Sequence, residues 1–196
     1  MHALRDYAKP RDRVTTLMKQ GVVRRIKKGL YVFGEGYGKD LYSREILSNL
    51  IYGPSYISLD YALQFHGLIP ERVKALTAVC LGSSKRFETP VGLFTYHRVP
   101  AKAFYLGIER IKIEKERTYL IADAEKALVD KIKSGHGISI QNQVEMREYL
   151  TEDLRIDWDN FCEMNIKKVE KYAKAYSSFK LRLLLNLLKH ENRKVS

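Results

Sequence analysis

The residues of this chain whose types could carry acid–base, nucleophilic or metal chemistry are five histidines, two cysteines and a few grouped carboxylates. Their spacing assigns them none of it. His66 and His97 have no partner at HxH or HExxH spacing and no paired carboxylates, so both read as structural histidines. Asp123, Glu125 and Asp130 stand two and five residues apart, a spacing that spreads them around a helix and predicts capping and surface roles rather than a metal site. Cys80 and Cys162 lie far apart and no CxxC pair occurs, which predicts reduced structural thiols. The stretch GEGYGKD contains Gly38-Lys39, yet Phe33 stands where a phosphate-binding loop needs its first glycine and Asp40 where it needs Ser or Thr. No catalytic site, no metal and no cofactor is expected, and the chain does not read as an enzyme.

What the sequence does supply is positive charge. The 196 residues carry 35 Lys and Arg against 23 Asp and Glu, a net +12. Residues 1–39 hold ten basic residues against three acidic ones, a net +7, and residues 163–196 hold nine against three, a net +6. The stretch between them is therefore close to neutral, at −1. Charge concentrated at two ends marks a binding footprint for a polyanion, because each neutralised phosphate releases condensed counterions. At 45% hydrophobic and 30% charged residues the composition is that of a folded protein. The first residues mix charges and lack the apolar core of a secretion signal. No stretch approaches the roughly 20 apolar residues of a membrane span. A cytoplasmic protein without a membrane partner is expected.

The basic N-terminal end has a pattern of its own. Pro10 opens a helix to Gln20, with Val14, Leu17 and Met18 on one face and Gly21 as its stop. The other faces present Arg11, Arg13, Thr15, Thr16 and Lys19, side chains suited to phosphates and base edges. GVVRRIKKGLYVFG then predicts a hairpin turning at Lys27-Lys28-Gly29, with Arg24, Arg25, Lys27 and Lys28 as its cations. A basic helix followed at once by a basic hairpin is the order of recognition helix and wing in a winged helix-turn-helix. Only MHALRDYAK precedes Pro10, so the module reads as abbreviated. The alternative reading is a helix and hairpin that cap a larger domain with solvated lysines.

The remainder predicts an α+β domain. Ser43 caps a helix to about Tyr52 with Ile46, Leu47, Leu50 and Ile51 buried, and Ser58 caps a second to Gly67 with Leu59, Ala62, Leu63 and Phe65 apolar. From Leu76 the period changes to that of strands (ALTAVCLG, KRFETPVGLFTYHRV, GIERIKIE, RTYLIA), implying a largely antiparallel sheet. DAEKALVDKIKSG returns to helix, with Asp123 as N-cap and Ala127, Leu128 and Ile132 inward. Helices then follow at Glu145–Leu150, Trp158–Met164, Ile166–Tyr176 and Ser178–Lys189. The last is leucine-rich on more than one face and is expected to pack on the sheet, the alternative being that it pairs with another chain. Lys167, Lys168, Lys171 and Lys174 predict a basic strip. The division expected is a winged-helix-like module over 1–39 and an α+β domain with terminal helices over 40–196.

Three motifs in this order resemble one family. They are the hairpin ending in Lys28-Gly29-Leu30-Tyr31, the segment Tyr56-Ile57-Ser58-Leu59-Asp60-Tyr61-Ala62-Leu63 with His66-Gly67-Leu68, and the stretch Asp123 to Leu128. The chain resembles, over roughly residues 5–135, the AbiEi antitoxins of type IV toxin–antitoxin (abortive infection, phage defence) systems. The resemblance implies a winged-helix domain that binds the promoter DNA of its own operon and represses it. It also implies a C-terminal domain that counters a nucleotidyltransferase-like toxin, with no stable complex assumed. Repressors often read paired half-sites, so a homodimer is one expected form. A second expectation is a protein- or RNA-interaction module that opposes the toxin without binding DNA.

Overall fold

In the computed structural model, which describes residues 10–37, 42–113, 116–135, 137 and 139–195, the chain is mixed α and β throughout. The segment MHALRDYAK, the join between the two expected domains near 38–41, and the end of GIERIKIE at Glu114 lie outside the described residues. Helix α1 runs Pro10–Lys19 and is followed by the antiparallel hairpin β1 (Val23–Lys27) and β2 (Leu30–Phe33). Helix α2 (Arg44–Ile51) starts where expected, the Ser43 hydroxyl accepting the Ile46 amide at 3.2 Å. Leu47 and Ile51 are buried, but Leu50 is 56% exposed, so the buried stripe is narrower than the periodicity suggests.

Among the described residues six strands form the sheet, β3 (Ser55–Ile57), β4 (Leu76–Cys80), β5 (Lys85–Thr89), β6 (Gly92–Arg98), β7 (Ile108–Lys112) and β8 (Thr118–Ala122), in the order β5-β6-β4-β3-β8-β7. The sheet is mixed rather than largely antiparallel. β3–β4, β5–β6 and β7–β8 are antiparallel, while β4–β6 and β3–β8 are parallel. Two sequence-adjacent hairpins are responsible: each is added to the central pair through its second strand, which arrives parallel to its new neighbour. The central strands are buried along their whole length, as strands covered on both faces must be.

The pairing register says what covers each face. Tyr56, Val79 and His97 are cross-strand neighbours, as are Ile57, Ala78 and Tyr96, and such neighbours share a face of the pleat. The Tyr96 hydroxyl donates to the Ser48 carbonyl of α2 at 2.7 Å. The Tyr56 hydroxyl donates to Asp130 of α5 (Ala124–Ser134) at 3.2 Å. Helices α2 and α5 therefore lie on opposite faces, a three-layer arrangement. Helix α3 (Leu59–Phe65) packs beside α5, with Leu59, Ala62 and Leu63 buried and Phe65 46% exposed. Short helix α4 (Ala101–Phe104) links β6 to β7. Beyond α5 come α6 (Gln143–Glu148, continued by a wide turn to Asp153), α7 (Trp158–Cys162), α8 (Ile166–Tyr176) and α9 (Phe179–Val195). Leu181, Leu184, Leu187 and Leu188 of α9 are buried, packing on α5, α6, α7 and α8, so the support of this apolar helix is other helices more than the sheet.

Candidate functional site

Helix α1 buries none of its ten residues fully. Val14, Leu17 and Met18 are half-buried, while Arg11, Arg13, Thr15, Thr16 and Lys19 are exposed. The threonine hydroxyls donate to the helix backbone, Thr15 to the Arg11 carbonyl and Thr16 to the Asp12 carbonyl, both at 3.0 Å. Their acceptor lone pairs remain for a partner. The helix ends at Gly21, whose left-handed φ of 71° turns the chain so that Val22 N donates to Leu17 O at 2.9 Å. The end of the hairpin closes on this turn, since Gly34 N donates to Val22 O at 2.9 Å. A Cβ at Gly34 would stand 2.0 Å from the Gly21 carbonyl oxygen, so only glycine permits the approach.

The hairpin pairs Val23 with Phe33 and Arg25 with Tyr31, with an irregularity between Arg25 and Lys27 that turns Ile26 inward. Ile26 and Val32 are buried in the same core as the sheet. Lys27 does not stand free: its ammonium donates to the Ile51 carbonyl at the C-terminal, electronegative end of α2. It anchors the hairpin to the body. Arg24 is half-buried, and Arg25 and Lys28 are exposed. The sequence-predicted nucleic-acid residues thus divide into a helix face (Arg11, Arg13, Lys19, with the two threonines), hairpin cations (Arg25, Lys28, with Arg24 partly covered) and one anchor, Lys27. Asp12 is the sole acid between residues 10 and 33.

The second constellation was not expected from the spacing. Asp130 of α5, expected on the helix surface, and Lys126 are fully buried and form an ion pair. Asp130 also accepts Ser58 Oγ at 2.7 Å, the Tyr56 hydroxyl at 3.2 Å and the Tyr176 hydroxyl. The Lys126 ammonium lies 4.8 Å from the Tyr176 ring centroid and 5.6 Å from that of Tyr56, a cation–π cage. Burial lowers the Lys126 pKa, only partly offset by Asp130, and burial beside Asp130 raises those of Tyr56 and Tyr176. One turn earlier Asp123 caps α5, accepting Lys126 N at 2.7 Å, and also accepts the Tyr172 hydroxyl at 2.7 Å and pairs with Lys168 at 3.2 Å. Glu125, buried and not on the surface as its spacing suggested, pairs with Lys168 at 3.3 Å and accepts Asn165 N at 3.0 Å. Lys168 is thereby drawn out of the expected lysine strip, which leaves Lys167, Lys171 and a Glu170-paired Lys174 exposed.

This network joins two of the motifs. Ser58 makes no side-chain cap, because its hydroxyl goes to Asp130. Leu59 adopts a left-handed φ of 61°, and the corner is held by Thr77, which donates to Ser58 O at 2.6 Å and accepts Tyr61 N at 3.0 Å. Asp60 pairs with Lys131 at 2.6 Å, and His66 Nε2 meets the Ala122 carbonyl at 2.8 Å. With Lys126 and Asp130 sealed from solvent, the cluster braces sheet, α5 and α8; it offers no surface to a substrate. Among the described residues no three His, Cys, Asp or Glu side chains gather to hold a metal ion. No described helix is long and apolar enough to cross a membrane.

The one signal that could have pointed to the pair is the i,i+4 spacing of Lys126 and Asp130 inside an apolar run; the partners Tyr56, Ser58, Tyr172 and Tyr176 lie too far along the chain for periodicity to reach. No protein-family model matches the chain, and no curated protein matches it.

Proposed function

We propose that the chain is a DNA-binding transcriptional regulator that grips DNA through α1 and the β1–β2 hairpin and serves as the antitoxin of a type IV system, repressing its own operon. The observation that carries the DNA-binding half is the distribution of cations. Arg11, Arg13, Lys19, Arg25 and Lys28 are exposed on a helix–hairpin unit that Lys27, Ile26 and Val32 fix to the body. A helix closed onto a hairpin by the Gly21–Gly34 seam presents both elements as one surface, the arrangement by which a recognition helix enters a groove while a wing holds phosphates. The antitoxin half, directed against a nucleotidyltransferase-like toxin, rests on the resemblance of the three motifs. No enzymatic role is part of this reading.

A mobility shift on the DNA upstream of its own coding sequence tests it. With about four phosphates neutralised, affinity should fall on the order of 100-fold between 50 and 200 mM salt. The variant Arg11→Ala/Arg25→Ala/Lys28→Ala should lose the shift. Lys27 is left in place because its removal would loosen the hairpin. Wild-type protein that gives no shift at low salt, yet retains the neighbouring gene product in a pull-down, would move the function to the protein- or RNA-interaction alternative.

A further inference from the structure

An open cleft of about 700 Å³ lies where the end of β6, the end of α5 and the start of α9 converge. We propose that this cleft binds a phosphorylated small molecule of mononucleotide size. The site is separate from the helix–hairpin surface, and its test does not depend on DNA binding.

The lining carries the argument. Arg98, Lys133 and Lys180 bring three cations to one cleft that Ser134 and Ser178 also line, and no carboxylate is among the described lining residues. Arg98 and Lys133 have no ion-pair partner among the described residues. By contrast Lys131, Arg155 and Lys168 of the same body are matched by Asp60, Glu71 and the Asp123–Glu125 pair. Cations left unmatched in a concavity with no described carboxylate leave a local excess that an anion neutralises. Lys180 is positioned by its bond to the Gly135 carbonyl at 3.2 Å, which leaves two of its ammonium donors for a ligand. The start of the 17-residue helix α9, whose first-turn amides have no intrahelical acceptor, is part of the lining.

The volume fixes the size class, because a phosphate alone fills a small part of a cleft that falls within the range of small-molecule sites. Phe179, 48% exposed in the same lining, carries the Arg182 guanidinium 5.4 Å from its ring centroid, and the rest of the ring supplies an aromatic surface for a planar base. Three cations and an aromatic ring in one lining match a phosphate and a nucleobase on one ligand.

Titration calorimetry of the full chain at low salt, with AMP, inorganic phosphate and adenosine as probes, tests the assignment. AMP should bind, phosphate should compete with it, and adenosine should bind at least about tenfold more weakly. Both Arg98 and Lys133 are exposed, so Arg98→Gln/Lys133→Gln should keep its urea midpoint while weakening AMP at least about tenfold. Phe179→Ala should weaken AMP and leave phosphate unchanged. The variant Arg25→Ala/Lys28→Ala should bind AMP as the wild type does. No heat with millimolar AMP or phosphate, or AMP binding untouched by Arg98→Gln/Lys133→Gln, would overturn the proposal. So would loss of duplex or single-stranded RNA binding in that variant with no AMP binding, which would reassign the cleft to a nucleic-acid strand.

Discussion

Lys28 at the hairpin tip and Lys126 in α5 carry the same ammonium into opposite surroundings, and the contrast separates the two halves of this molecule. Around Lys28 the chain leaves cations exposed and ties down only what keeps the hairpin in place. Around Lys126 every neighbouring polar group points inward, and a single carboxylate, Asp130, receives one ammonium and three hydroxyls. A basic residue is therefore a binding group in one region and a cross-brace in the other. Charge count alone does not distinguish them; burial and partners do.

The largest effect that tests the contrast is expected at Asp130. Asp130→Ala leaves the Lys126 ammonium buried without its carboxylate, a change that costs about 3–5 kcal/mol and should unfold much of the protein at moderate urea. Lys126→Met combined with Asp130→Asn should recover part of that loss, since the amide oxygen can still accept from Ser58 and Tyr56, its NH2 can donate to the Tyr176 oxygen, and no buried charge remains. An Asp130→Ala midpoint within error of the wild type would mean the pair is solvated and the brace unimportant.

Alkaline pH probes the same region. Burial raises the pKa of Tyr56, Tyr61, Tyr172 and Tyr176, helped by Asp130, Glu45 or Asp123, and pushes Tyr96 and Tyr149 up to about 12. In the unfolded chain these phenols ionise near 10.0, so the stability they contribute is complete below that pH and is lost as pH rises beyond it. Lys126 acts in the opposite sense, its folded pKa lying below 10.5, so its cost is relieved as pH rises toward that value. Six phenols outweigh one ammonium, and urea midpoints should fall from pH 9 to pH 11. A flat or rising profile would contradict the buried arrangement.

Gly107 sets a smaller effect. It has a left-handed φ of 64°, and a Cβ there would lie 2.7 Å from Lys126 Cβ and 2.8 Å from the Tyr172 ring. Gly107→Ala should cost about 1–3 kcal/mol in urea unfolding through overpacking of the brace. Smallest is the hairpin pair: Arg25→Ala/Lys28→Ala should shift stability by no more than about 0.5 kcal/mol, because both side chains are exposed.

Much of the local structure was legible in the sequence, and the reasons are local. Pro10, Gly21, Ser43 and Asp123 mark the element ends where they act, and the hairpin at Lys28-Gly29 follows from two β-prone runs around a glycine. What escaped is what distant residues decide. β3 is three residues long and shows no alternation, yet it sits at the centre of the sheet between β4 and β8. Leu50 fits a helical stripe by period but faces no layer. Glu125 and Asp130 read as surface residues because charged residues usually are, and only α8, brought back over α5, supplies Tyr172, Tyr176 and Lys168 to enclose them and Lys126. The cationic cleft is likewise assembled from three separate stretches, none basic enough alone to stand out.

The central claim is that exposed cations of the helix and hairpin bind nucleic acid while the buried charges only hold the fold. Its most direct test is a DNA titration of Arg25→Ala/Lys28→Ala beside wild type, with urea unfolding of both. The account predicts wild-type binding that weakens with salt, a variant with a clearly weaker affinity and a salt slope lower by about two, and superimposable unfolding curves. Equal affinity for both proteins, or a variant that loses binding only because it unfolds, would contradict it.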